Sequence, residues 1–395
     1  MTVVHVGDLM LSDESGFACG KTKLVDSGLP HLRPFNISDD GRLELGQVYQ
    51  VPATEAPKSK RELLPGDILF NNTNSVELVG KTTIIREPMV AGYSNHLTRI
   101  RVDAKRVDPE FFAHWLRRLR STGFFTAQAT QWVSQAAFRT SELRALAIDL
   151  PSMDKQCRIV DLLARAEGIV RLRREAQQKA AELIPAIFID MFGDPATNPQ
   201  AWPRQRLSAV AEVISGVAKG RKLAPSEAVE LPYMRVANVK DGYLDLAEVK
   251  TIEIKRSEVE KLLIHPGDLL MTEGGDPDKL GRAALWAGEI EACVHQNHVF
   301  KVRSDRARLS PAYLRTLAGS AYGKAYFLSV AKKTTGIASI NKTQLSAFPV
   351  PLPPLALQRR FERRVQSAES ILNQQAEGLS KATATFDALL SQAFH

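Results

Sequence analysis

Cysteine is scarce in this chain. Only Cys19, Cys157 and Cys293 occur, far apart and in no CxxC pair, so neither a disulfide framework nor a cysteine-based zinc site is indicated. No long apolar run is present either. The most hydrophobic stretch, ELIPAIFIDMF, is too short and too interrupted to span a bilayer, and the opening MTVVHVGDLMLSDE has no basic head before an apolar block. The expectation is a soluble, cytoplasmic protein. Disorder is not expected, because 44% hydrophobic and 24% charged residues over 395 positions suit a globular chain with room for two domains or more. Acidic residues are in deficit, 44 against 52 basic ones, and the resulting +8 fits a polyanion partner without requiring one.

Signatures of catalysis are missing as well. GKT occurs at Gly20–Thr22 and Gly80–Thr82, but a phosphate loop needs glycine five positions earlier, where Ser15 and Ser75 stand. TNPQAW (197–202) lacks the second proline of a base-amino methylation motif. His295 and His298 lie close in HQNH, yet no Cys or carboxylate ligands cluster beside them. GGDPDK (274–279) sets acids near a lysine as nuclease centres do, but its glycines argue for a loop. No catalytic residue, metal site or cofactor is expected in this chain.

What is present is a sentence written twice. LPHLRPFNISDDG at 29 returns as LPYMRVANVKDG at 231, placing Leu29, Pro30, Arg33 and Asn36 on Leu231, Pro232, Arg235 and Asn238. The match extends from SGFACGK (15–21) against SGVAKGR (215–221), through LLPGDILF against LIHPGDLLM, to SNHLTRIRVD against QNHVFKVRSD, with an offset drifting between 200 and 202. One domain type used twice is the reading. Each copy begins with short apolar runs broken by Gly, Pro, Asn and Asp, such as VYQVP, DILF, TTIIR and HLTRIRV, which predict strands. VDPEFFAHWLRRL and LSPAYLRTLAG predict short helices opening on proline.

After LPSMDKQ and LPPLALQ the turn signals stop, and each copy becomes a long helix. Phe361, Val365, Ala368, Leu372, Gln375, Leu379, Ala382, Phe386 and Leu389 follow alternating steps of four and three, the seam of a coiled coil. The first copy repeats it with Ile159, Leu163, Ala166, Val170, Arg173, Gln177, Ala180 and Ile184, Arg173 and Gln177 being polar interruptions. Such stripes predict two helices packed on each other, antiparallel, as a spacer of about 50 Å. Pro185 is expected to end or kink the first. On duplex DNA such a rod separates two readers by one to two helical turns.

Candidate contacts for a duplex lie in loops. Lys21 and Lys23, mirrored by Lys219, Arg221 and Lys222, follow an SG turn and suit phosphates. Asn71, Asn72 and Asn74 follow a strand, and QATQWVSQ, with Gln131 and Gln135, faces VAKKTTGI, with Lys332, Lys333 and Thr334. Amides pair with adenine and lysine with guanine, so chemistry that differs between copies suits two different half-sites. Arg33 with Arg235 and Lys81 with Arg282 recur in both copies, as common framework or common backbone contacts. Asn95–His96 and Asn297–His298 are read as scaffold.

These residues resemble a known family. MFGDPATNPQAWP (191–203), the LP..R..N...DG pattern, and the entries Leu150–Pro151 with Gln156 and Leu352–Pro353 with Gln358 are similar to the specificity subunits of type I restriction-modification systems. The resemblance implies an α+β chain: a target recognition domain at 1–150, a long helix at 151–192, a second recognition domain at 193–352 and a last helix at 353–395. It further implies double-stranded DNA, two methyltransferase subunits and restriction subunits as partners, with S-adenosylmethionine, ATP and Mg held by those partners. A specificity component of a related DNA defence system shares every feature quoted, and a coiled-coil adaptor that binds no DNA shares the rod.

Overall fold

The runs DILF and DLLM are apolar without alternation, the pattern of a strand covered on both faces. A computed structural model, describing residues 2–131, 135–220, 223–276, 279–334 and 336–394, places them at the middle of two four-stranded antiparallel sheets. The chain divides into two units, Met1–Arg173 with Gly378–His395, and Arg174–Glu377. In the first unit the sheet order is Met10–Ser15, Leu97–Val102, Ile68–Asn71, Thr82–Ile84. In the second it is Ala211–Ser215, Val299–Ser304, Leu269–Thr272, Ala283–Leu285. Period-two alternation sorts the side chains. Ile68 and Phe70 join a cluster with Ile100 and Phe111, while Leu69 joins the opposite one with Leu32, Tyr93 and Leu97. Leu269 and Met271 share a cluster with Phe300 and Tyr313, and Leu270 another with Met234 and Trp286.

Two smaller sheets accompany each large one. Leu29–Leu32 lies between Tyr49–Val51 and the parallel Gly92–Tyr93; Ala228–Met234 lies between Lys250–Lys255 and the parallel Val294–His295. Thr73–Asn74, Ala136–Ala137 and Thr130–Gln131 form a three-stranded ribbon in the first unit, as Gly274–Gly275, Ile337–Ser339 and Lys332–Thr334 do in the second. A two-stranded pair brings together the ends of the strand-rich part of each unit, Thr2–His5 with Ala147–Leu150 and Arg204–Arg206 with Pro349–Pro351.

The main helices are α1 (Pro109–Ser121), α2 (Met153–Ala181), α3 (Leu183–Phe192), α4 (Pro311–Gly319) and α5 (Leu355–Ala393). Proline occupies the first turn of α1 and α4, and Asp108 caps α1 by accepting from the backbone of Glu110 and Phe111. A buried glutamine ties each short helix to a long one. Gln156 accepts from the Asp108 N–H at 2.8 Å and donates to Arg106 and Pro151 carbonyls; Gln358 does the same with Ser310, Arg308 and Pro353. An ion pair adds to the joint, Arg117 with Glu167 and, at 2.7 Å, Arg315 with Glu369.

Pro185 interrupts the first long helix, but for a single residue. It offers no N–H to the Ala181 carbonyl, the helix breaks at Glu182, and α3 carries on to Phe192. Of the heptad positions, Leu163, Ala166, Val170, Ala180, Phe361, Val365, Ala368 and Phe386 are buried, Ile159, Ile184, Leu372, Leu379 and Leu389 are half-buried, and Arg173 is exposed. At the helix ends the buried stripe departs from the heptad. Phe188 and Phe192 contact Tyr313 and Phe361 at ring distances of 4.8–5.6 Å, and in the first unit Leu390 is buried and Phe394 meets Phe111 at 4.9 Å. The last turns pack on a short helix as well as on the other long helix of their unit, Phe188 and Phe192 touching Tyr313 and Phe361, and Leu390 and Phe394 sharing a cluster with Leu163 and Ile159.

Candidate nucleic-acid interface

Several sequence candidates are committed to the internal structure of their own unit. Asn71 is fully buried, its amide donating to the Leu78 carbonyl at 2.9 Å. Arg33 donates to the Cys19 carbonyl at 2.9 Å and lies 4.6 Å over the Tyr49 ring, and Arg235 donates to the carbonyl and carboxylate of Glu248. The asparagine after each arginine is the reason for the motif: Asn36 bridges Glu44 and Gln47 carbonyls, and Asn238 those of Asp245 and Glu248. Lys81 is 11% exposed, donating to the Ile37 carbonyl and pairing with Asp39 at 3.2 Å. Its hydrogen bond holds the Asp39 carboxyl below the usual range. Arg282, half-buried, contributes after Lys279 to lowering Asp276.

The SG turn is fixed by close approach. A side chain on Gly16 would meet the Tyr93 carbonyl at 2.1 Å, and one on Gly216 the His295 carbonyl at 2.1 Å, so only glycine fits. Beyond it Lys21 and Lys23 are exposed, Lys23 pairing with Glu55 at 2.9 Å, and the exposed Lys219 reaches over the Tyr233 ring at 5.3 Å. Arg221 and Lys222 lie outside the described residues.

The Asn–His step connects this turn to the ribbon. Asn95 N–H donates to Phe17 and Asn72 N–H to the His96 carbonyl; in the second unit Asn297 donates to Val217 and Glu273 to His298. The ribbon therefore brings together two segments that sequence alone left apart, Asn72–Asn74 with Gln131 and Gln135 in one unit, and Gly274–Gly275 with Lys332 and Lys333 in the other. Its entering helices, Phe124–Gln128 and Ala321–Val330, are seated by Phe125 on Gly80 and Phe327 on Gly281. Both glycines have positive φ, and an added side chain would collide with these rings. Asn72 donates to the Thr73 hydroxyl and Asn74 accepts from Ser75 N–H, while Gln131, Gln135, Lys332 and Lys333 are exposed. Trp132 to Ser134 and Thr335 are outside the described residues. Thr334 ends the strand Lys332–Thr334.

Among the described residues no three His, Cys, Asp or Glu side chains group as metal ligands. His295 is fully buried, bonded to the Val299 carbonyl, and burial pushes its pKa down to about 4; His298 contacts Glu273 at 2.7 Å. No described helix is long and apolar enough to cross a membrane.

No family model matches the chain. It is 23% identical over 396 residues, 94% of this chain and 82% of the relative, to the type I restriction enzyme EcoKI specificity subunit of Escherichia coli strain K12. A putative type I restriction enzyme MjaX specificity subunit of Methanocaldococcus jannaschii is 27% identical over 146 residues, 36% of this chain and 34% of that one. Among solved structures, a chain from work on complex assembly and conformational transition of the type I R-M system superposes with TM-score 0.60 at 20% identity, covering 100% of this chain and 97% of that one. The type I restriction-modification S subunit from M. genitalium superposes with TM-score 0.55 at 15% identity, covering 100% and 96%. The chain is thus similar in sequence to type I specificity subunits along nearly its whole length, and it has their fold.

Proposed function

We propose that this chain is the DNA-specificity subunit of a type I restriction-modification complex, with each unit reading one half of an asymmetric, interrupted site. The observation that carries this is the recurrence of one backbone plan with different ribbon chemistry: amide and hydroxyl residues in the first unit, glycine and lysine in the second. A reader of two unlike half-sites needs the same scaffold and different tips. The plan is one domain used twice, and the long helices act as an antiparallel spacer. Within the first unit Arg173 lies beside Gly378 while Ile159 shares a cluster with Phe394, the order antiparallel packing requires.

Partners supply the chemistry. Leu162, Ile169 and Leu172, each at least half exposed, make an apolar stripe on α2 away from its buried face, suited to a methyltransferase subunit. Two such subunits, with restriction subunits added, would hold S-adenosylmethionine, ATP and Mg, and the assembly would act in the cytoplasm. This chain supplies the address. Co-expression with its methyltransferase and genome-wide mapping of methylated adenines is expected to give a single bipartite motif; a continuous palindrome or no motif overturns the proposal. Exchanging residues 1–145 for those of a relative is expected to change one half of the motif alone.

A further inference from the structure

The ribbon has two faces, and its register says which residues share each. Directly paired residues of antiparallel strands point the same way. In the first unit Ala136 is fully buried and pairs with Asn74 and Gln131, so these three belong to the inward face; Thr73, Ala137 and Thr130 form the outward one. In the second unit Ala338 is fully buried and pairs with Gly275 and Lys333, leaving Gly274, Ser339 and Lys332 outward. Two adjacent lysines on one edge strand therefore have different surroundings.

Resting on the reading of the chain as a DNA-specificity subunit, we propose that the outward ribbon face lies against base edges in the major groove, Lys332 reading a guanine in one half-site and Thr130 an A·T pair in the other. The groove admits a β-ribbon. Beside the two edge residues the face is low in relief: Gly274 has no side chain, and Ser339, paired with Lys332, and Ala137, paired with Thr130, are small, so base edges can approach there while the edge-strand residue reaches forward. Lys332 is exposed and has no carboxylate partner among the described residues, which suits the O6 and N7 acceptors of guanine. Thr130 is exposed and offers a methyl to the thymine methyl and a hydroxyl to either base. Lys333, on the inward face at the same edge, reaches the backbone, where it adds affinity without sequence preference.

The test maps methylation motifs of Lys332→Ala, Lys332→Gln, Lys333→Ala and Thr130→Ala chains, each assembled with the methyltransferase. Lys332→Ala is expected to lower the preference at one position of one half-site by about 5- to 150-fold and leave the other half intact. Lys332→Gln is expected to shift that position towards adenine, and Thr130→Ala to relax the opposite half. Lys333→Ala is expected to reduce methylation at all sites alike. The inference is overturned if the unsubstituted chain yields a bipartite motif and Lys333→Ala relaxes it while Lys332→Ala does not. It is also overturned if neither lysine alters the motif, the pair then serving to shield an edge strand from pairing. Absence of any motif from the unsubstituted chain overturns the underlying reading instead.

Discussion

Strands 97–102 and 299–304 hold the same place in the two units, yet their buried cations are neutralised differently. Arg99 faces Glu14 on the neighbouring strand and donates to it at 2.5 Å, with further bonds to the Ser59 and Glu62 carbonyls. At the matching place Lys301 faces Ile214 and donates at 2.7 Å to the Lys261 and Leu263 carbonyls. What the two share is a cation that ties the central sheet to the loop before the next strand. The acid is dispensable, at a cost: Lys301 is fully buried and its pKa falls to about 8, through burial first and then Arg303, against Asp268, Glu212 and Glu260.

The units also differ where the long helices pack on the short ones. Phe361 is fully buried among Phe188, Phe192 and Tyr313, whereas its counterpart Ile159 is only half-buried. Phe361→Ala is expected to destabilise the second unit by about 3–5 kcal/mol and Ile159→Ala the first by under about 2. Hydrogen exchange resolved along the chain measures the two separately; equal losses break the asymmetry.

Next in size are the buried glutamines. Gln358→Ala leaves the Ser310 N–H and two carbonyls without their partner and is expected to cost about 1–3 kcal/mol. Gln156→Ala should cost about the same in the first unit, because the geometry is the same; a difference above about 1 kcal/mol in denaturant melts denies the equivalence.

Both glutamines were visible in the sequence as the shared entry in which Gln follows Leu–Pro after four residues, and the helices as runs where clustered turn signals stop. The ribbon was not, because pairing 73–74 with 136–137 is set by tertiary structure and leaves no local periodicity. Asn71 looked like a contact by residue type alone; it lies inside because its strand is covered on both faces. Heptad counting selected Leu389, which packs half-buried on the cluster, and passed over Leu390 and Phe394, which join it there. The repeat itself held the missing signal, since an offset of 202 carries Phe188 and Phe192 onto Leu390 and Phe394.

Lys301 makes the second unit sensitive to alkali. Its folded pKa lies below the ordinary 10.5, so the folded state holds this proton less tightly than the unfolded chain. Stability of the second unit is then expected to rise by ~2 kcal/mol between pH 8 and 10.5, with the burial penalty fully present below pH 8. His295 works in a separate window, stability falling as pH drops from 6.5 towards 4. Ile214→Glu, which copies the Glu14–Arg99 arrangement, should abolish the alkaline rise; a rise unchanged by that substitution assigns it to another group.

The smallest difference concerns Arg173, a charge in a seam whose other polar members, Gln177 and Gln375, are neutral. It lies over Gly378, where an added Cβ would sit 3.4 Å from the guanidinium carbon, an ordinary contact, while the position one repeat earlier is Ala176. Glycine is therefore not required by space. Gly378→Ala is expected to stabilise the first unit by up to about 1 kcal/mol through helix propensity alone, and Ala176→Gly to weaken the second by a similar amount. Slower exchange of amides around 378 in the first variant fits that account. Faster exchange means that the guanidinium needs the glycine gap, and that Arg173 is a packed element of the helix pair rather than a tolerated charge at its rim.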